Sequence, residues 1–259
     1  MGNETIGKTI TVAVLLCIVC SVLVSTAAVK LRPRQEANKA LFTKTNILKA
    51  GGLLEEGKSI DELFKHIEIR YVDLATGDYN DTIDSKTYDA REAVNKPALS
   101  KAIPASQDLA HIKRMVKTAE IYLVKEDGEL KTIIIPVYGK GLWSTMYAFL
   151  ALEADGNTIK GYSFYDHGET PGLGGEIENP AWQALWVGKK LVDENGKLAI
   201  NLLKGKVDMS KPRAIYEVDG LAGATLTNNG VRNLMHFWLG ENGFGKYLAK
   251  IRNQGVNNG

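Results

Sequence analysis

The residues best suited to chemistry form one short run, Asp219-Gly220-Leu221-Ala222-Gly223-Ala224-Thr225-Leu226-Thr227. Small residues crowd the approach to Thr225, so its hydroxyl stands in a sterically open turn that another molecule can reach closely. Thr227 or Asn228 is expected to cap the helix that follows. A helix N-terminus offers unpaired N–H groups and a partial positive charge, which suits a phosphate. The same spacing fits a glycine-rich loop that merely enters a helix, and the residues alone leave both readings open.

Two more loops have the composition of a binding surface. Tyr138-Gly139-Lys140-Gly141-Leu142-Trp143 sets small residues beside an indole able to stack on a flat ring. It is not a dinucleotide fingerprint, because no third glycine follows Gly141 at the required spacing. The second loop, His167-Gly168-Glu169-Thr170-Pro171-Gly172-Leu173-Gly174-Gly175-Glu176, is rich in exposed backbone amides. Both are also legible as turn punctuation. His167 and Glu169 are two potential ligands with no partner cluster, so no metal is expected. Lys206, just after Gly205, is a candidate point charge for a phosphate, a solvated lysine being the alternative. His66, His111 and His236 are scattered, and neither a Ser/His/Asp arrangement nor a P-loop presents itself, so no catalytic residue is expected.

The elements that must position these loops follow from periodicity and turn chemistry. Ile121–Val124 and Leu130–Val137 read as a hairpin about Asp127-Gly128, and Met146–Leu152 and Ile159–Tyr165 as another about Asp155-Gly156-Asn157. Asn179-Pro180 opens a helix carrying Trp182, Leu185 and Trp186. Val231, Leu234, Met235 and Trp238 have the i, i+3, i+4, i+7 spacing of a last, amphipathic helix. Ser59-Ile60-Asp61-Glu62 is a capping box for a short helix, while 73–111 is polar, turn-rich and without a clear assignment. The fold class expected is α+β, an antiparallel sheet flanked by helices.

Upstream, Ile10 to Val29 has no charged residue, and its length matches the roughly 20 apolar residues that span a bilayer as a helix. A cleaved secretory signal is the alternative, but its apolar stretch is typically about 7–15 residues. Cys17 and Cys20, the two cysteines of the 259-residue chain, both lie in this span and read as small apolar residues, the alternative being a C-x-x-C redox or metal pair. The soluble part therefore has no thiol for a disulfide or an iron–sulfur cluster. A helix is expected to continue past Lys30, Arg32 and Arg34 until Gly51-Gly52 breaks it. The organisation expected is a tail at 1–9, a transmembrane helix at 10–29, a helical and turn-rich connection at 30–112 and a ligand-binding domain at 113–259. A net charge of +2 argues against nucleic acid as a partner.

Asp219, Gly223, Ala224, Thr225 and Thr227 resemble the D-x-x-x-G-A-T-x-T pattern that a flavin transferase reads in FMN-binding domains. The run from His167 to Gly174 is similar to the H-x-E-T-P-G-L-G segment of that family. With its N-terminal anchor and C-terminal motif, the chain resembles the C-subunit family of the sodium-translocating NADH:quinone reductase (NQR). The G-subunit family of the Rnf complex shares the motif, but its members tend to lack much of what lies here between Arg34 and Ile112, so length favours the former.

The resemblance implies a covalent FMN, joined through its phosphate as a phosphoester to Thr225. Around it would stand Gly141, Leu142 and Trp143, then His167, Glu169, Thr170, Gly172, Leu173 and Gly174, then Lys206, Asp219, Gly220, Ala222, Gly223, Ala224 and Thr227. Backbone amides of the second loop would reach the flavin's polar edge while Leu173 covers a face. It further implies an electron relay inside a membrane quinone reductase complex whose other subunits are partners, since no nicotinamide site is present here. Maturation by a flavin transferase, contact with membrane lipid, and a soluble domain on the periplasmic side of a bacterial inner membrane complete the expectation. The charges disagree on sidedness: Lys30, Arg32, Arg34 and Lys39 follow the span, and only Lys8 and the amino terminus precede it, which by the positive-inside rule keeps the domain cytoplasmic. From a different class, a membrane-anchored binding or scaffold protein without flavin is the rival.

Overall fold

The computed structural model describes residues 6–84 and 87–257. Residues 1–5 of the expected tail, and 258–259, lie outside the described residues. By its contacts the chain divides after Thr43. The first unit consists of most of helix α1 (Ile6–Gly51), which runs unbroken through Pro33 and contains the whole apolar stretch. Among the described residues it is the one helix long and apolar enough to cross a membrane.

The second unit begins at Lys44, so the last turns of α1 belong to it. The helix ends as its sequence dictates: Gly52 takes φ 66°, its N–H returns to Lys49 O at 3.1 Å, and Leu53 N–H returns to Leu48 O at 2.9 Å. These two bonds close a Schellman motif that satisfies the final carbonyls. Helix α2 (Ile60–Phe64) starts where the expected capping box places it, and Ser59 Oγ accepts from Glu62 N–H at 3.3 Å, the forward bond of that box.

The chain then enters strand β1 (Ile67–Asp73), passes through turns and the single-turn helix α3 (Ala90–Ala93), and forms the short antiparallel pair β2 (Ser100–Ala102) and β3 (Arg114–Val116). Both expected hairpins follow, as β4 (Thr118–Glu126) with β5 (Glu129–Lys140) and β6 (Thr145–Glu153) with β7 (Ile159–Asp166). Asp127 and Gly128 both adopt positive φ, 50° and 82°, which a two-residue hairpin turn requires to match the strand twist. The main sheet has the order β1-β4-β5-β6-β7 and is antiparallel throughout. The stretch expected to connect anchor and domain thus supplies an edge strand and, through Ile47 and Leu48, part of the core.

Helix α4 (Pro180–Ala184) starts on Asn179, whose side chain accepts from Ala181 N–H; it carries Trp182 but ends before Leu185 and Trp186, which its apolar pattern had placed on it. A parallel pair of two-residue strands, β8 (Asn201–Leu202) and β9 (Glu217–Val218), precedes helix α5 (Thr225–Leu239). The last element is helix α6 (Gly245–Asn257), which the sequence pattern did not announce. The sheet is covered on both faces. Ile133, Ile135 and Val137 meet Val231, Leu234, Met235 and Trp238 of α5, whereas Ile134, Phe149 and Ala151 meet Ile47, Leu48 and Leu63. Each Val, Leu, Ile, Met or Phe among them contributes about 1.5–3 kcal/mol on burial. Contact between α5 and the sheet is close: a methyl built on Gly230 would fall 2.6 Å from Lys140 O. This approach sets the second turn of α5 beside the end of β5.

Candidate functional site

Three loops meet where α5 begins. The first leaves β5 as Gly141-Leu142-Trp143, the second follows β7 as Thr170 to Gly174, and the third is Ala222-Gly223-Ala224 leading into Thr225. Gly223 has φ 70°, and a methyl on it would lie 3.3 Å from Leu173 Cδ2, so the second and third loops are in contact. Trp143 ties the first to the second by donating its indole N–H to Thr170 Oγ1 at 3.1 Å. The second loop is stiffened by Gly175 N–H bonding Thr170 O at 2.8 Å and by Gly172 at φ 75°.

Thr225 is the first residue of α5 and is exposed. It therefore stands on a helix rather than in the open turn expected. Neither Thr227 nor Asn228 caps that helix; the N-cap is Ala224, and no side chain bonds to the helix start. The physical reason is competition. The Thr227 hydroxyl donates to Glu169 Oε2 at 2.5 Å, and the Asn228 amide brackets Leu221, accepting from its N–H at 3.0 Å and donating to its C=O at 2.8 Å. Buried polar groups so satisfied are worth more than a solvent-exposed cap. No side chain therefore satisfies the first N–H groups of this 15-residue helix, where the Thr225 hydroxyl stands. That is the donor set a phosphate monoester fits.

Around this point four apolar side chains are left in the open: Leu142 at 42%, Trp143 at 65%, Leu173 at 46% and Leu226 at 58% exposure. They offer a flat ring system its faces. The residues present therefore fit FMN.

Glu169 and Thr227 are placed at the same junction but inside it, buried and bonded to one another. Glu169 also accepts from Leu142 N–H at 3.2 Å and Trp143 N–H at 3.0 Å. Burial pushes its carboxyl up, but the hydrogen bonds from Thr227, Trp143, Leu142 and Ser144 outweigh burial and hold it below the usual range. Gly141 and Gly174 wrap it: a methyl on Gly141 would fall 2.5 Å from Glu169 Oε1, and one on Gly174 would fall 2.3 Å from Thr227 Oγ1. His167 is half-buried, with Nδ1 accepting from Glu169 N–H at 3.1 Å and Nε2 at 3.1 Å from Glu178 Oε1.

Asp219 and Gly220 act on the neighbouring loop. Asp219 Oδ1 accepts from Val207 N–H at 2.8 Å and Gly220 N–H bonds Gly205 O at 3.1 Å, which lays the Lys206 segment alongside the motif. Lys206 itself is exposed. Two contributors carry no sign in the sequence: Ser144, whose Oγ accepts from Gly168 N–H at 2.6 Å and joins the first two loops, and Asn228 in its bracketing role. A serine after a Gly-Leu-Trp run gives no signal of that bond, because its partner is 24 residues away.

An α+β domain with three loops of this kind, behind a helix able to span a membrane, is by class a membrane-anchored flavoprotein. Residues 141–240 match the FMN-binding domain family. The chain is 51% identical over 255 residues to the C subunit of the Na(+)-translocating NADH-quinone reductase of Pseudomonas aeruginosa, covering 97% of this chain and 98% of that one. It is likewise 51% identical to the corresponding C subunit of Vibrio vulnificus, with 99% of each covered. The crystal structure of Shewanella oneidensis NqrC superimposes with a TM-score of 0.74 at 36% identity, covering 82% of this chain and 96% of that one. The chain belongs to the C-subunit family of the Na(+)-translocating NADH-quinone reductase. The length argument that favoured this family over its shorter Rnf relatives agrees with the near-complete alignments.

Proposed function

We propose that Thr225 carries FMN as a phosphoester and that the domain relays electrons between the other subunits of a sodium-pumping NADH:quinone oxidoreductase complex. The observation that carries this reading is the exposed Thr225 hydroxyl on the first residue of an uncapped helix, flanked by exposed Leu142, Trp143, Leu173 and Leu226. The helix N–H groups receive the phosphate, and its dipole favours the negative charge there. Leu173 and Trp143 hold the ring and exclude water from it. Glu169, Thr227 and Ser144 keep the three loops in register, and Lys206, from the loop fixed by Asp219, screens the phosphate. FMN bound there supplies reversible electron uptake and release, which this chain's residues position and tune.

A covalent tether keeps the cofactor where free flavin is scarce, which accords with a domain on the periplasmic side of a bacterial inner membrane, anchored by α1 in lipid. Attachment is by a flavin transferase that acts on the 219–227 motif. The experiment is a denaturing gel of the purified chain: yellow-green fluorescence travelling with the protein band supports attachment, and a dark band from flavin-replete, transferase-containing cells overturns it.

A further inference from the structure

Glu169 is chemically out of place. Among the described residues no other Asp or Glu is buried; Glu169 is 5% exposed, and it makes no ion pair with another described residue. A carboxylate inside a protein normally needs a cation. Here its compensation is neutral: the N–H groups of Leu142 and Trp143 and the hydroxyl of Thr227. Those donors belong to the first loop and to α5, while Glu169 itself introduces the second loop, so one side chain connects all three walls of the cleft. Gly141 and Gly174 leave it the space, since a methyl on either would strike Glu169 or Thr227. A core built only for stability would place an apolar side chain or a glutamine here at lower desolvation cost. Neutral donors leave the negative charge unneutralised, next to the exposed Leu142 and Trp143.

We propose that Glu169 is the positioning residue of the flavin cleft, clamping its three loops and fixing a negative charge in the wall that makes the cofactor harder to reduce. The inference rests on the reading that FMN sits over these loops. An electron added to the ring is repelled by that charge through a poorly polarisable wall, where interactions are several-fold stronger than in water. The carboxylate acts through the loops and the field; it transfers no proton and no electron.

The test is a reductive titration of the flavin-loaded full chain, wild type against Glu169→Gln. Glutamine keeps the shape and one accepting oxygen, for the Trp143 N–H; with its NH2 in place of Oε2 the Thr227 hydroxyl can turn to accept, while the Leu142 N–H loses its acceptor. Expected are a weaker covalent flavin band than in wild type, because the clamp loses a backbone bond, and, in the molecules that carry flavin, a reduction equilibrium shifted toward the reduced form by about tenfold, about 30 mV for a two-electron couple. An unchanged potential in a flavin-bearing variant overturns the charge role. Absence of flavin from the wild type itself overturns the functional reading instead, so the two failures are distinguishable. Should the variant not fold, hydrogen exchange on the wild-type chain decides the clamp: slow exchange at the Leu142 and Trp143 amides supports it, and exchange at the rate of an open loop overturns it.

Discussion

Thr227 donates its hydroxyl to Glu169 Oε2 at 2.5 Å, 58 residues back in the chain, and both side chains are buried. This bond explains why the two threonines of the motif have different fates. Thr225, two residues earlier at the start of α5, is exposed, while Thr227 has turned inward by about 200° around the helix.

Thr227→Val keeps the shape and removes the donor. It is expected to cost about 1–3 kcal/mol, because it leaves a buried carboxylate oxygen short of a partner. Thr227→Ser retains the hydroxyl and is expected to recover most of that. Urea unfolding of the two variants measures both, and equal midpoints for Val and wild type contradict the bond's importance.

Stability should depend on pH through Glu169. Its carboxyl is held below the unfolded reference of 4.5, so its contribution is fully present above that value. It is lost as pH falls through the lower folded value, because only the unfolded chain binds the proton before then. The stability of wild type relative to Glu169→Gln is therefore expected to be constant at neutral pH and to fall steadily below about 4.5. Chemical unfolding at stepped pH tests it; a wild type that gains on the variant as pH falls reverses the sign.

Gly230→Ala addresses the approach of helix to sheet. The added methyl would meet the Lys140 carbonyl at 2.6 Å, so α5 must shift off the end of β5. A loss of about 1–3 kcal/mol is expected, the range for overpacking, in spite of the better helix propensity of alanine. A stabilised variant in thermal unfolding would show that this contact yields freely.

Much of this was legible in the sequence, and the failures are local. Both long hairpins were, because Asp127-Gly128 and Asp155-Gly156-Asn157 are turn signals between apolar runs. Strand β1 gives a weak signal although Ile67, Ile69 and Tyr71 alternate with Glu68 and Arg70, because its partner lies 50 or so residues away in β4, with no turn signal joining the two. Helix α6 is masked in the sequence by Gly243 and Gly245, which look like an ending. Within the site, glycines and Thr225 announced the loops, but the inward turn of Thr227 did not. That choice depends on a carboxylate brought in by the fold, and helix-cap preferences count only local partners.

Sidedness has a direct assay. The periplasmic assignment sets aside the cationic cluster of Lys30, Arg32, Arg34 and Lys39, so it is exposed to refutation. A reporter fused after Gly259 that is active only outside the cytoplasm is expected to be active in the assembled complex. Activity of a cytoplasm-only reporter at the same position contradicts both the sidedness and the route of modification.

The bond at Thr225 is decided by peptide mass mapping of the flavin-bearing chain. An FMN-phosphate adduct is expected on Thr225, with its loss in Thr225→Val while folding stays intact, and its persistence in Thr227→Ser. An adduct on Thr227, or on no residue between Asp219 and Asn229, would contradict the attachment and with it the role assigned to the whole cleft.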